Sequence, residues 1–144
     1  MRILFNLLKL WIRLQFPTVR SLSTEDLDRW LSDPSQKPPT LLDARSPVEF
    51  AVSHLKSAQQ EIRDLSQDEA IVVYCSIGYR SARVAQQLQQ QGFTNVQNLE
   101  GSIFQWANEG RSLYRGQQLA HKVHPYNAQW GKLLQPKYRD LPDS

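Results

Sequence analysis

Ile71-Val72-Val73-Tyr74 is a run of four strand-forming residues without polar alternation, and it ends directly on Cys75, the single cysteine of a 144-residue chain. A strand with no polar side is covered on both faces, the environment of a central strand in a parallel sheet between helices. The middle of the chain repeats that plan. Thr40–Ala44 (TLLDA) and Val96–Leu99 read as further short buried strands. Ser23, with Asp26 three positions on, opens a helix stopped near Pro34, and Pro47 to Ala51 reads as a helix start with proline near its first position. Arg80–Gln91 forms a helix with Val84, Ala85 and Leu88 inward and Gly92 at its C-terminal cap, and Gly101–Asn108 forms another. The glutamines between Gln86 and Gln91 fall on its solvated face. Strands alternating with helices predict an α/β fold with a parallel sheet and helices on both faces.

A chain of this length makes one domain with a core large enough to need no disulfide or metal staple. One cysteine excludes an intramolecular disulfide and a multi-cysteine zinc site. The net charge of +3 invites a nucleic-acid or membrane reading until it is divided along the chain. Residues 1–20 carry four cations and no acid, residues 21–110 seven cations and twelve acids, and residues 111–144 six cations and two acids. An acidic middle lies between two basic ends, and no nucleic-acid-binding module accompanies the cations, so no nucleic-acid partner is expected.

Residues 1–16, MRILFNLLKLWIRLQF, form a basic amphipathic helix ended by Pro17. Arg2, Asn6, Lys9 and Arg13 make one narrow polar stripe, and nearly everything else is large and apolar. Sixteen residues reach only about 24 Å, short of the roughly 30 Å hydrocarbon core, so a spanning helix is not expected. The regular polar interruptions and the lack of a small-residue cleavage site argue against a secretory signal. Three readings stay open: cover for the domain's own core, an in-plane membrane helix, or a site for a partner protein. The basic extension 111–144 holds Tyr126, Trp130, Leu133 and Leu134, more apolar mass than a disordered tail needs, so part of it is expected to dock. His121 and His124 lack a nearby carboxylate or cysteine, and no metal is expected there.

Chemistry concentrates at Cys75, which stands at the carboxyl end of a buried strand, immediately before a loop that opens a helix. Ligands of open parallel α/β sheets bind at that edge. The loop Ser76-Ile77-Gly78-Tyr79-Arg80 can turn its N–H groups toward the sulfur, Gly78 gives the turn, and the helix adds its positive end. Such a cradle favours thiolate over thiol and lowers a cysteine pKa below about 8.5. Arg80 and Arg83 add positive charge for an anionic substrate. From spacing alone, a reactive sulfur and a buried strand-end hydrophobe both remain open.

Three segments, LLDARSPVEFAVSHLKSAQ, IVVYCSIGYRSARVAQQLQQQGF and VQNLEGSIFQWANEG, resemble the three signature blocks of a rhodanese-like domain, in the family's order. Asp43-Ala44-Arg45, Glu49-Phe50, His54-Leu55, Cys75 and Gly101-Ser102-Ile103-Phe104-Gln105-Trp106 carry the resemblance, which places the domain within residues 17–110. It implies a three-layer fold with about five parallel strands, and a cysteine that accepts sulfane sulfur as a persulfide and passes it to a nucleophile. The loop from Cys75 to Arg80 has the six residues of the rhodanese type. The related dual-specificity phosphatases need a seventh to widen the ring around a phosphate, so phosphatase chemistry is disfavoured. The mercaptopyruvate-specific loop pattern is absent, leaving thiosulfate or a protein persulfide as the donor.

The expected roles follow. Cys75 is the nucleophile, N–H groups from Ser76 through Arg80 hold the persulfide, and Arg80 steers an anionic donor. Asp43 either hydrogen-bonds the loop or is a structural buried carboxylate; Arg45 and Glu49, four apart, are expected to pair with each other. His54 and Trp106 are structural. No cofactor is needed, and with no second thiol in the chain the acceptor, a thiol or cyanide, is external. Only twenty residues separate His54 from Cys75, too few for a longer strand-helix passage, so one sheet face is expected to lack a helix that residues 1–16 could replace. The expected location is cytoplasmic, with peripheral attachment at the inner membrane surface as the consequence of the membrane reading. A module of the same fold that only binds a membrane or partner is the alternative to catalysis.

Overall fold

A computed structural model of the chain describes residues 2–141; Met1 and residues 142–144, the outer ends of the two basic segments, lie outside the described residues. Helix α1 (Arg2–Gln15) is followed by strand β1 (Arg20–Leu22), α2 (Thr24–Leu31), β2 (Thr40–Asp43) and α3 (Pro47–Val52). Then come β3 (Ile71–Tyr74), α4 (Tyr79–Gln90), β4 (Val96–Leu99), α5 (Ser102–Asn108), a hairpin β5 (Leu113–Arg115) and β6 (Gln118–Ala120), and two 3₁₀ turns at Trp130–Leu133 and Pro136–Tyr138.

Four strands form a parallel sheet in the order β1-β4-β3-β2, so the apolar run that ends on Cys75 is an interior strand. The fifth strand expected from the family resemblance is reduced to one bridge. Gln59 pairs with Leu42 at the β2 edge, its N–H donating to the Leu41 carbonyl at 3.0 Å and its carbonyl accepting from Asp43 N–H at 2.8 Å. The neighbouring residues Ala58-Gln59-Gln60-Glu61 are mostly polar and offer no second apolar side to bury, so pairing stops there. Strand β1 was not evident from sequence, because Arg20-Ser21-Leu22 carries no hydrophobic run; its place is set by pairing with Gln97, Asn98 and Leu99.

The alternation of strand side chains divides the core. Leu42, Ile71, Val73 and Val96 face α4, packing on Ala85 and Leu88. Leu41, Val72, Tyr74 and Leu99 face the other way, against Leu27 of α2, Ile103 and Phe104 of α5, and Val123, Leu133 and Leu134 of the C-terminal segment. The helix absent between His54 and Cys75 is not replaced by α1, as the sequence suggested. Ile62 and Leu65 of the connecting loop cover that face instead. Helix α1 lies across the carboxyl edge of the sheet, because Phe5 joins the α5 side of the core while Ile12 and Phe16 pack on Ala82 near the start of α4. Lys9 donates to Gln105 of α5 at 2.9 Å, and Arg13 pairs with Glu100, just after β4.

Candidate active site

The hydrogen bonds at the end of β3 explain where Cys75 sits. Cys75 N–H donates to Ser102 Oγ at 3.1 Å, while the carbonyls of Cys75 and Ser76 accept from Ile103 and Phe104 N–H at 3.1 and 3.0 Å. The start of α5 therefore clamps the beginning of the loop. Its far end is closed by Gly78, whose φ of +114° lies in the left-handed region that a side chain disfavours. Asn98 of β4 donates from Nδ2 to the Gly78 carbonyl at 3.0 Å and so pins the turn.

Within this frame Cys75 is 1% exposed. Gly78 N–H donates to its Sγ at 3.1 Å, and Ser81 Oγ lies 3.3 Å from the same sulfur. Ser81 has one hydroxyl proton and is also 2.6 Å from Asn98 Oδ1, so the sulfur and the amide oxygen compete for it. Of the loop residues expected to cradle the sulfur, Gly78 is the one whose N–H reaches Sγ itself. Among the described residues, the N–H groups of Ser76, Ile77, Tyr79 and Arg80 have no acceptor within the chain. Ser76, Ile77, Tyr79 and Arg80 line the same cleft as Cys75.

One sequence pairing is corrected. Arg45 does not pair with Glu49. It pairs with Asp43, donating from Nε and Nη2 at 3.0 and 2.7 Å, and both side chains are fully buried. Asp43 also accepts from Arg45 N–H at 2.9 Å, which occupies the carboxylate that could have bonded the Cys75 loop. Arg45 Nη2 continues to the Ser53 carbonyl at 2.6 Å, tying β2 to the end of α3. Burial, with the nearby Asp43 carboxylate, pushes the Tyr74 hydroxyl well above its ordinary range. That hydroxyl accepts from Leu55 N–H at 3.1 Å and belongs to the same structural cluster.

Glu49 instead pairs with Arg80, in a two-pronged contact of 2.8 and 2.9 Å. Ser76 Oγ bridges them, 3.1 Å from Glu49 and 2.9 Å from Arg80. Ser46 at the start of α3 completes a capping box with Glu49, so one carboxylate holds both a helix end and the loop arginine. Burial alone would raise the Glu49 carboxyl; hydrogen bonds and charge from Arg80, with donors from Ser46, overcome it and hold the group down at about 2. The separation of 31 residues in sequence hid this pair.

Above the loop lies a cleft of about 270 Å³ whose wall is mainly apolar. Ile77, Tyr79 and Arg80 come from the loop and α4, Leu8 and Trp11 from α1, and Tyr126 and Trp130 from the C-terminal segment. Trp11 stacks on Tyr79 with centroids 5.6 Å apart, and the Arg80 guanidinium sits 4.5 Å from the centre of the Tyr126 ring. Sequence reasoning missed these four wall residues, although the aromatic content of both basic ends was a signal. The remaining candidates are engaged by contacts within the chain. His54 Nδ1 meets the Leu55 carbonyl at 2.7 Å, its Nε2 accepts from Gly116 N–H at 3.0 Å, and Phe50 stacks on the ring. Trp106 is buried and donates to the Ser112 carbonyl at 2.8 Å. His124 accepts from Tyr126 N–H at 3.0 Å.

Sheet and loop together define a class: α/β domains with a single cysteine in a short glycine-containing loop between an interior parallel strand and a helix. The chain belongs to the rhodanese-like domain family, whose model matches residues 23–109. It is 32% identical over 100 residues to a sulfurtransferase of Allochromatium vinosum, covering 64% of this chain and 92% of that protein. It is 30% identical over 99 residues to the probable adenylyltransferase/sulfurtransferase MoeZ of Mycobacterium tuberculosis, covering 62% of this chain and spanning only 25% of that protein's length. A rhodanese-related protein from Thermoplasma volcanium has the same fold, with a TM-score of 0.57 and 27% identity over 67% of this chain and 98% of that one.

Proposed function

We propose that the protein is a sulfurtransferase that carries sulfane sulfur as a persulfide on Cys75. Membership of the family and likeness to a protein named sulfurtransferase over nearly that protein's whole length support sulfur transfer in general. The observation that carries the finer reading is the position of Cys75 Sγ, which receives Gly78 N–H at 3.1 Å at the foot of a loop whose Ser76, Ile77, Tyr79 and Arg80 N–H groups have no acceptor within the chain. Cys75, as thiolate, attacks the outer sulfur of thiosulfate or of a protein persulfide. An S–S bond forms on Cys75 as the donor's S–S bond breaks, and the leaving group, sulfite or a thiolate, departs with the electron pair. The terminal sulfur rests among the N–H groups of Ser76 through Arg80. An external thiolate or cyanide then attacks that sulfur and regenerates the Cys75 thiolate, with no net oxidation of the protein. Arg80 supplies positive charge at the cleft, and Asp43 with Arg45 supports the scaffold beneath it.

Intact mass after incubation with thiosulfate tests this directly. Wild type is expected to gain one sulfur atom, reversed by cyanide, and Cys75→Ala to gain none. No gain on wild type, or an equal gain on Cys75→Ala, sinks the catalytic reading and leaves a rhodanese-like binding module. That second reading draws on one observation, the exposed apolar side of α1.

A further inference from the structure

Helix α1 is attached to the domain by one face and presents a second apolar face outward. At about 100° per residue, Ile3, Leu4, Leu7, Leu10, Trp11 and Leu14 fall in a sector roughly 120° wide. All six are at least 47% exposed, and they are six of the ten large apolar side chains exposed among the described residues. The opposite side holds Phe5, Ile12 and Phe16, each 8% exposed or less. Lys9 and Arg13 lie along one flank, fastened to Gln105 and Glu100, so the helix is set against the domain with its wider apolar sector free. Clustering of this kind marks an interaction surface rather than the scattered exposure of ordinary surfaces.

Charge identifies what that surface fits. No Asp or Glu occurs before Glu25, and Arg2 and Lys9 lie on the flank beside Arg13, whose own charge is met by Glu100. On the other flank, Arg83 lies 5.5 Å from the centre of the Tyr79 ring on which Trp11 stacks. Two copies of α1 laid face to face would match apolar sector to apolar sector but set cation against cation along the flanks. An anionic lipid surface offers hydrocarbon to the apolar sector and phosphate to its flanks. The fourteen residues of α1 suit an in-plane helix, and among the described residues no helix is long and apolar enough to cross a membrane.

We propose that α1 docks in the plane of an anionic lipid surface through Ile3, Leu4, Leu7, Leu10, Trp11 and Leu14. Docking does not depend on the sulfur chemistry, but it sets where that chemistry occurs. Trp11 belongs to the docking sector and also to the wall of the Cys75 cleft, so the mouth of the cleft opens beside the lipid.

Co-sedimentation of the full-length protein with vesicles tests the proposal. Phosphatidylcholine vesicles containing phosphatidylglycerol are expected to take down wild type at least about tenfold more strongly than phosphatidylcholine alone, with the difference weakened by salt. Leu7→Glu combined with Leu14→Glu changes two exposed positions outside the cleft and should abolish sedimentation at an unchanged melting temperature. Leu7→Ser with Leu14→Ser removes apolar contact without adding negative charge and should also bind at least about tenfold less. Failure of wild type to sediment with anionic vesicles overturns the proposal, as does undiminished binding by the Ser variant. A wild-type dimer in solution that the Glu variant dissociates, without vesicle binding by wild type, would assign the face to a second copy.

Discussion

Asp43–Arg45 and Glu49–Arg80 are both carboxylate–arginine pairs near the carboxyl edge of the sheet, yet their surroundings give them opposite uses. The first is closed on every side, with both side chains fully buried and the arginine spent on Asp43 and the Ser53 carbonyl. The second keeps one side open: Arg80 is 32% exposed and forms part of the cleft wall, while Glu49 behind it is 4% exposed. A sealed pair can only maintain architecture, since no ligand reaches either charge. A half-open pair can present a positioned cation to an anion, because its carboxylate fixes the guanidinium without enclosing it.

Breaking the sealed pair should have the largest effect on stability. Asp43→Ala strands the buried Arg45 charge and is expected to cost about 3–5 kcal/mol in chemical denaturation. A loss near that of an ordinary surface substitution would remove the distinction between the pairs. Arg80→Ala opens Glu49 to water from the cleft, so its cost is expected to be smaller, about 1–3 kcal/mol. Its signature lies elsewhere: persulfide formation from thiosulfate should slow by about tenfold or more while Cys75 remains able to react. Equal stability losses in the two variants, or unchanged sulfur uptake in Arg80→Ala, would break the comparison from either side.

The most conservative change is Glu49→Gln, which keeps an acceptor for Arg80, so that its cost at neutral pH, no more than about 3 kcal/mol, is the charge contribution of Glu49. Acid sharpens it. The Glu49 carboxyl falls from an ordinary 4.5 to about 2 in the folded protein, so its contribution is complete above about pH 4.5 and disappears as pH drops through about 2. The stability gap between wild type and Glu49→Gln should therefore narrow over that range. A gap that stays constant from pH 6 to about 2 would show that Glu49 acts through packing and not through its charge.

The same contrast separates what was readable in the chain from what was not. Strand β3, the helix after it and the position of Cys75 between them were readable because they are local: an apolar run, a glycine turn and a helical spacing lie within twenty consecutive residues. The exchange of partners between the two pairs was not. Arg45 and Glu49 have the spacing of a helical pair, but Arg45 lies before the Ser46 cap of α3, so that spacing never becomes a shared helix face. The aromatic wall of the cleft comes from α1, the loop and the C-terminal segment, and no local pattern joins elements so far apart in sequence.

By itself, the sequence determined an α/β domain with a lone cysteine at the carboxyl end of an interior strand, because period and punctuation act over a few residues. It also determined that α1 would be basic and amphipathic. Tertiary structure alone decided that the edge strand shrinks to one bridge at Gln59, that Glu49 holds Arg80, and that α1 turns Phe5 and Ile12 inward. Nearly every position of that helix outside the stripe of Arg2, Asn6, Lys9 and Arg13 is apolar, so its pattern does not say which sector meets the domain. That choice follows from which side chains fit against Ala82 and the α5 side of the core, and it leaves the wider sector facing out beside the cleft.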